Sequence, residues 1–503
     1  MLRLSGCIVL LWLLGVCLAP PARAETLTLR QALTFGLQDN FDLRVAQLAV
    51  DRGEAAILGE QGRFDTSVEL ALSHSRNDLP AASLLIDSDQ FSSRQTRAEA
   101  ALSQPFTTGL QARLSLSGER SDTDTLADRL DPAYRTSLVL DLTQPLLKDA
   151  GRQVNTAGTA IARDRHQQAA YGYLASALQL AGEIELAYFD LAEAETEHDH
   201  LLLAHELASQ LLTSNRRKLA AGLIPIAEVS EAEAAVVSRE ETLLLIRQKI
   251  VRLRHRLAEL IDQEQGRLAT DWQVALPELP AGPDPALDEA VTTGLERRPE
   301  LQQARLETTV SRRTLTLADN RQLPRLDLQA RFGLHGLSGD DDSGASTHAG
   351  PGRDALRDDG SSWFAGLRYS MPLQNRVARA DLLDAKAEER QVRHRLQRAE
   401  LAATTSIQIA HANLQLGRQR LATAVRSSAL AQTTLDQENR RLAEGLSDTF
   451  RVLLFQRALV EANLRELAAR ADLLRAQAGL RQAMATTLDY YHIDAALPRE
   501  ALP

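Results

Sequence analysis

Two long stretches of the chain carry apolar residues at spacings of three and four, which is the repeat of one helix face. The first apolar seam covers residues 171–212 and the second covers residues 407–424. No proline interrupts either seam, and the spacing is typical of coiled-coil packing. The first stretch, about residues 156–220, predicts a helix roughly 95 Å long at 1.5 Å per residue. The pattern therefore indicates helical rods.

Other segments alternate apolar and polar residues with a period of two, as half-buried β-strands do. They lie at residues 68–72, 138–142, 326–334 and 363–371. One apolar and one polar face over about 9–11 residues suits a tilted strand of an outer-membrane barrel, although a soluble sandwich shows the same alternation. An additional pair, at about residues 96–104 and 110–118, has no counterpart later in the chain. The pattern leaves open whether this pair enters the barrel or stands above it.

The two halves of the chain repeat one order of elements. The stretch "LRQALTFGLQDNFDLRVAQL" (29–48) matches "LDEAVTTGLERRPELQQARL" (287–306) at leucine, alanine and glycine positions of constant spacing. The predicted divisions are a leader at 1–24, a first repeat at 25–275, a Pro-rich linker at 276–286, a second repeat at 287–488 and a tail at 489–503. We expect strands at about 65–145 and 325–372, and helical hairpins at about 150–262 and 375–488.

The N-terminal segment has a positive start, a short apolar run and an A-x-A ending at Ala24. These features predict a secretory signal peptide cleaved before Glu25, and therefore export. The two cysteines, Cys7 and Cys17, both lie in this segment, so we expect a mature chain without disulfides. Lipid attachment at Cys17 stays open, although Val16 is bulkier than the residue that usually precedes such a site.

Composition and charge restrict the class of function. A formal net charge of -10 disfavours nucleic-acid binding, which needs a basic surface, and the 4% aromatic content is typical of long helices packed through small side chains. No later apolar run is long enough to predict a transmembrane helix. The sequence has no P-loop, no G-x-S-x-G elbow and no recognisable catalytic carboxylate pair. We therefore expect no enzymatic activity and no cofactor.

The stretch "ETEHDHLLLAH" (195–205) is the best candidate for metal binding. Helical metal pairs usually lie four residues apart, whereas His198 and His200 are two apart and His205 is farther along. Because His198 and His205 fall on the apolar seam, we predict packed interface histidines and no metal site.

The leader, the duplication, the strand pairs that end at a proline and the Gly-Leu turns between long helices together resemble the TolC-like outer-membrane efflux proteins. The resemblance covers essentially the whole mature chain. It implies an α+β fold in which three copies build one barrel of twelve strands, four from each copy, continued into the periplasm by a barrel of helices. An open sheet edge is not viable in lipid, which also requires the chain to oligomerise.

The same resemblance implies the function and the partners. Such a chain is expected to be the passive outer-membrane exit duct of a tripartite efflux pump, as a homotrimer in outer-membrane lipid. Its expected protein partners are a periplasmic adaptor and an inner-membrane transporter. The outer-membrane component of type I protein secretion is one alternative. An exported coiled-coil structural or adhesion protein, of a different class, is another.

The resemblance also implies a site at the Gly-Leu turns, where the helix tips would meet the adaptor. The tip residues are Gly222, Leu223, Ile224 and Pro225 in the first turn, and Gly445, Leu446, Ser447 and Asp448 in the second. The candidate periplasmic gate consists of Glu228, Glu231, Asp448 and Arg451. Our hypothesis is that Arg451 pairs with Glu228 or Glu231 and holds the tips closed. The alternative is that these residues are solvated charges on the helix surface.

Overall fold

The computed structural model describes residues 26–80, 90–123, 130–261, 272–279, 282–339 and 360–494. The predicted leader, with Cys7 and Cys17, lies outside these residues. The helices are α1 (Leu29–Asp39), α2 (Phe41–Gln61), α3 (Arg152–Asn155), α4 (Ala157–Ala220), α5 (Ile226–Ile261), α6 (Leu287–Arg297), α7 (Pro299–Arg321), α8 (Arg376–Ala443), α9 (Thr449–Ala483) and α10 (Thr487–Tyr490). The strands are β1 (Ser67–Pro80), β2 (Gln90–Pro105), β3 (Gln111–Thr123), β4 (Ala133–Pro145), β5 (Arg325–Gly339) and β6 (Ser361–Ser370).

Within the described residues, six strands form one sheet in the order β1-β2-β3-β4-β5-β6, and each pair of neighbours is antiparallel. The alternating segments of the sequence are strands of this sheet. The additional pair corresponds to β2 and β3, which pair with each other and also with β1 and β4. The described sheet therefore contains the four strands expected in each copy and, between β1 and β4, a further hairpin of two strands.

The chain divides into two compact units. One unit consists of residues 48–170 and 302–398 among the described residues and contains the whole sheet. Here α7 packs on α8 through buried Ala318, Leu382 and Ala385, with Leu315 against them. Because two of the three buried side chains are alanines, the two helices can approach closely.

The other unit consists of residues 26–47, 171–301 and 399–494 among the described residues, and it shows why glycine recurs in the repeat. A Cβ at Gly36 of α1 would overlap Ile184 of α4 and lie 3.2 Å from the Leu260 carbonyl oxygen. A Cβ at Gly294 of α6 would likewise overlap Ile407 of α8 and lie 3.3 Å from the Ala483 carbonyl oxygen. Both glycines are therefore needed for the same close approach between a short helix and a long hairpin.

A buried ion pair lies in the same unit. The Glu185 side chain of α4 is fully buried, and its Oε1 accepts from Arg481 Nη2 of α9 at 2.8 Å and from the Tyr491 hydroxyl at 2.7 Å. The Arg481 guanidinium also lies 4.4 Å from the centre of the Tyr490 ring. Burial, followed by the neighbouring Glu185 carboxylate, raises the pKa of Tyr491. The Tyr491 hydroxyl therefore stays protonated and donates to Glu185.

No helix in the described part of the chain combines the length and the apolarity needed to cross a membrane.

Candidate tip and gate region

Both Gly-Leu turns end a long helix through the same hydrogen bonds. In the first turn, Gly222 N-H donates to the Leu219 carbonyl at 2.8 Å and Leu223 N-H donates to the Lys218 carbonyl at 2.9 Å. The second turn, at Gly445 and Leu446, repeats this pair of bonds. The two bonds define a Schellman motif, whose C′ residue adopts left-handed backbone angles. Gly222 and Gly445 have φ of 75° and 77°, so these turns require glycine.

We expect Gly222→Ala or Gly445→Ala to lower the free energy of unfolding by about 1–2 kcal/mol, because left-handed backbone angles cost that much for an L side chain. Thermal unfolding of the purified protein, followed by circular dichroism, measures the change. Gly479 of α9 is the control, because a Cβ there meets open space within a helix. Gly479→Ala is expected to stabilise the protein by roughly 0.5–1 kcal/mol. Equal effects at the turns and at Gly479 would contradict the role given to the turns.

The second helix of each hairpin begins differently. In the first hairpin, α5 begins at Ile226 directly after Pro225, whose fixed φ suits a helix start. In the second, Asp448 is the N-cap of α9, and its carboxylate accepts from the Arg451 backbone N-H at 2.8 Å. One of the candidate gate residues, Asp448, therefore caps a helix and places its negative charge at the positive end of the helix dipole.

The tips expose large apolar side chains. Leu223 is 73% exposed and Leu446 is 64% exposed, and Ile226 and Phe450 beside them are also exposed. Ile224, by contrast, packs against the small core of Leu212, Val229 and Ala232. Exposed apolar residues gathered in one place indicate a binding surface. Of the predicted tip residues, the two leucines therefore present the large exposed apolar side chains.

The ion pair of Arg451 within the chain is with Glu438 of α8, at 3.2 Å between Nε and Oε1. The Glu438 side chain is only 5% exposed, although it is charged, and it also accepts from the Ser447 hydroxyl. Arg441 lies 3.8 Å from its other carboxylate oxygen. The hypothesis from the sequence pairs Arg451 with Glu228 or Glu231. Instead, Arg451 ties α9 to α8 inside the second hairpin.

Glu228 takes part in a different contact, which joins the two hairpins. The Thr449 hydroxyl of α9 donates to Glu228 Oε2 at 2.6 Å, and Asn215 of α4 donates to the same hydroxyl oxygen at 3.1 Å. Asn215 and Thr449 are both buried. Glu231 is exposed on the surface of α5. Of the candidate gate residues, Glu228 and Arg451 therefore each make an interhelical contact, but with different partners.

Our sequence reasoning missed Asn215 and Glu438. Asn215 and Glu438 lie the same number of residues before Gly222 and Gly445, respectively, and both are buried polar side chains. Asn215 contacts the other hairpin, whereas Glu438 contacts the other helix of its own hairpin. A signal was present, because aligning the two repeats on Gly222 and Gly445 places Asn215 opposite Glu438. A polar residue recurring at a core-facing position indicates an interhelical hydrogen bond.

The histidine stretch contacts polar residues of α5. His205 Nε2 lies 3.4 Å from Glu240, and His198 Nε2 lies 3.5 Å from Arg247. Both histidine side chains are partly buried, with 22% and 24% of their surface exposed. In the described residues, no group of three or more His, Cys, Asp or Glu side chains could hold a metal ion.

Comparison with known proteins agrees with this architecture. The model of the outer membrane efflux protein family matches residues 109–262 and 291–486, that is, once in each repeat. No curated protein sequence matches the chain. Solved structures similar to this chain include the outer-membrane channel OprN, at 19% identity, with a TM-score of 0.64 over 91% of this chain and 89% of that one.

Two further channels are similar. The CmeC outer membrane channel of Campylobacter jejuni has 15% identity and a TM-score of 0.65, over 93% of this chain and 87% of that chain. The outer membrane protein VceC of Vibrio cholerae has 16% identity and a TM-score of 0.64, over 91% of this chain and 96% of that chain. At identities this low, the structural likeness shows a shared fold and nothing further.

Proposed function

Because the chain belongs to the outer membrane efflux protein family, we propose that it is the exit duct of a tripartite pump and conducts small molecules from the periplasm outward. The sheet would form the wall in the outer membrane, and the helical hairpins would lie in the periplasm. The duct would act passively, since energy would come from an inner-membrane transporter joined to it by an adaptor.

The two faces of the sheet carry this proposal. On β4 and β5, the paired residues Leu140 and Phe332 lie on one face, whereas the paired residues Asp141 and Arg331 lie on the other and form an ion pair. An apolar face suits lipid, and a charged face suits a water-filled lumen. A closed wall of this kind would enclose a water-filled path for polar solutes across the lipid, and transport through it would need no catalytic step.

The edges of the sheet support assembly into a trimer. The strand β1 is exposed along its whole length, and β6 is exposed along nearly all of its length. Unpaired backbone groups at such edges cannot remain in hydrocarbon. We therefore propose that β6 of one copy pairs with β1 of the next and that three copies close the ring.

The candidate gate is proposed to close the periplasmic end through two contacts. The pair of Arg451 with Glu438 would fix the second hairpin, and the Thr449 hydroxyl, bonded to Glu228 and Asn215, would fix one hairpin against the other. Asp448 would contribute through its cap of α9, and Glu231 through its exposed charge near the tip. Opening would require these contacts to break.

The exposed tip leucines are proposed to contact the adaptor. We expect Leu223→Cys and Leu446→Cys, each labelled with a photoactivated crosslinker in cells, to form a covalent product with a periplasmic protein. Leu401→Cys is the matched control, because Leu401 of α8 is 68% exposed but far from either turn in sequence. If Leu401→Cys gives as much crosslinked product as the two tip variants, the assignment is wrong. It is also wrong if the tip variants give no product in cells whose pump is active.

A further inference from the structure

We propose that the additional hairpin, β2 and β3, is part of the membrane wall, so that a trimer closes a barrel of eighteen strands. This inference rests on the proposed duct and concerns how the duct is built. In the described part of the second repeat, the hairpin has no counterpart, and β5 and β6 pair with each other. The family match begins at residue 109, so β1 and β2 also precede the matched region.

One row of paired residues crosses the whole sheet and is apolar on every strand. The pairing register aligns Val68, Leu102, Leu114, Leu140, Phe332 and Trp363. The next row on the same face aligns Leu70, Ala100, Leu116, Leu138 and Leu334, and it ends at Ser361 on β6. The hairpin therefore continues the apolar band of β1, β4 and β5 at the same height. A hairpin standing in water above the membrane would have no reason to match this band.

The hairpin also becomes polar at the same level as its neighbours. Beyond the apolar rows, the same face carries Thr96 on β2 and Arg120 on β3, in register with His74 on β1 and Tyr134 on β4. A tyrosine at the edge of an apolar band is typical of the membrane interface. The band therefore has a common upper limit across β1 to β4.

The opposite face of the hairpin is joined to its neighbours by charge. Arg113 of β3 pairs with Glu69 of β1 at 3.0 Å and with Glu99 of β2 at 3.5 Å. Arg135 of β4 lies 3.9 Å from Glu119 of β3. These pairs share a face with the Asp141–Arg331 pair of β4 and β5. The charged surface proposed to line the lumen therefore extends without interruption across the hairpin.

The turn of the hairpin lies at the base of the sheet, where β4 leaves for α3. Thr108 accepts a backbone hydrogen bond from Gly151 at 3.1 Å. Gly109, with φ of 93°, lies so close to the Asp149 carbonyl that a Cβ would approach it to 2.6 Å. The hairpin consequently reaches the same lower level as β4 and runs the full height of the wall.

Closure is compatible with the larger number of strands. With six described strands in a meander, β1 and β6 run in opposite directions, so joining β6 to β1 of the next copy keeps every pair antiparallel. Three copies of a six-stranded sheet make eighteen strands. Because barrel diameter grows about linearly with strand number, such a barrel is roughly half again as wide as one of twelve strands.

The test compares neighbouring cysteines on the two faces of β3 in the purified trimer reconstituted in lipid vesicles. Leu114→Cys lies on the apolar face and Ser115→Cys on the charged face. The matched pair is their register partners on β4, Leu140→Cys and Val139→Cys. Because Cys7 and Cys17 lie in the predicted leader, wild-type protein reports the background. Each variant is reacted with a charged, water-soluble maleimide and with a lipid-soluble one.

We expect Leu114→Cys to react with the charged reagent on the order of tenfold more slowly than Ser115→Cys, because a thiol in apolar surroundings stays protonated. The β4 pair should show the same ratio. If the β4 pair shows it but both β3 positions react rapidly, the hairpin lies outside the wall and this inference fails while the duct stands. If neither pair shows it, the proposed membrane sheet fails as well.

Discussion

Arg481→Met is expected to lower the free energy of unfolding by about 3–5 kcal/mol, because it leaves a fully buried carboxylate without its ionic partner. The partner is Glu185, whose Oε1 lies 2.8 Å from Arg481 Nη2. The Tyr491 hydroxyl would remain as a donor, but a neutral donor compensates only part of a buried charge. Denaturant unfolding of the purified protein, at equal protein concentrations, measures the loss.

Two comparisons make the Arg481 result specific. Arg457→Met removes an exposed pair with Glu461 on the same helix, and such pairs are worth only about 0.3–0.5 kcal/mol. The double variant Glu185→Leu with Arg481→Met removes both charges, and we expect it to recover most of the stability, since apolar replacement of a buried pair is often neutral. A single variant as stable as Arg457→Met would show that the pair does not hold α4 to α9.

Arg451→Ala is expected to raise the conductance of single channels severalfold in planar bilayers. Arg451 connects α9 to the nearly buried Glu438 of α8 beside the second turn. Without it, Glu438 keeps only a bond from Ser447 and a longer contact with Arg441, so the link between α8 and α9 beside the turn would loosen. The stability change is expected to be small because Arg451 is 47% exposed and Glu438 keeps its contacts with Arg441 and Ser447. Conductance is therefore the informative measurement.

Arg457→Ala provides the control for the gate, because it removes the same charge from an exposed position of α9. Its conductance should equal that of the wild type. An Arg451→Ala channel that is indistinguishable from wild type would refute the proposed role of Arg451 in closing the duct. Thr449→Val tests the second contact independently, since it removes the hydroxyl between Asn215 and Glu228 while keeping a similar shape.

Local patterns predicted much of this fold. Helix periodicity placed α4 and α8, strand alternation placed the strands, and the turn glycines Gly222 and Gly445 marked the hairpin ends. Each of these signals acts over a few residues and is therefore visible in the sequence. The repeat also pointed to Gly36 and Gly294, although only the structure showed that Ile184 and Ile407 require their lack of a side chain.

Contacts between distant segments could not be predicted in the same way. Glu185 and Arg481 are 296 positions apart, and nothing in either local sequence marks the other as its partner. Several carboxylates near the turns could have paired with Arg451. Its pairing with Glu438 depends on how four helices pack. Alternation along β2 and β3 showed that they were strands, but the register that aligns Leu102 with Leu140 through β3 exists only in the sheet.

The most direct test of the duct is the current through the purified wild-type trimer in a planar bilayer. We predict discrete current steps, each from the insertion of one trimer, because the charged face of the sheet would enclose water. Electrophoresis without heating would confirm that the sample is the folded oligomer. A folded oligomer that inserts into the bilayer and gives no steps, with Arg451→Ala equally silent, would contradict a conducting duct.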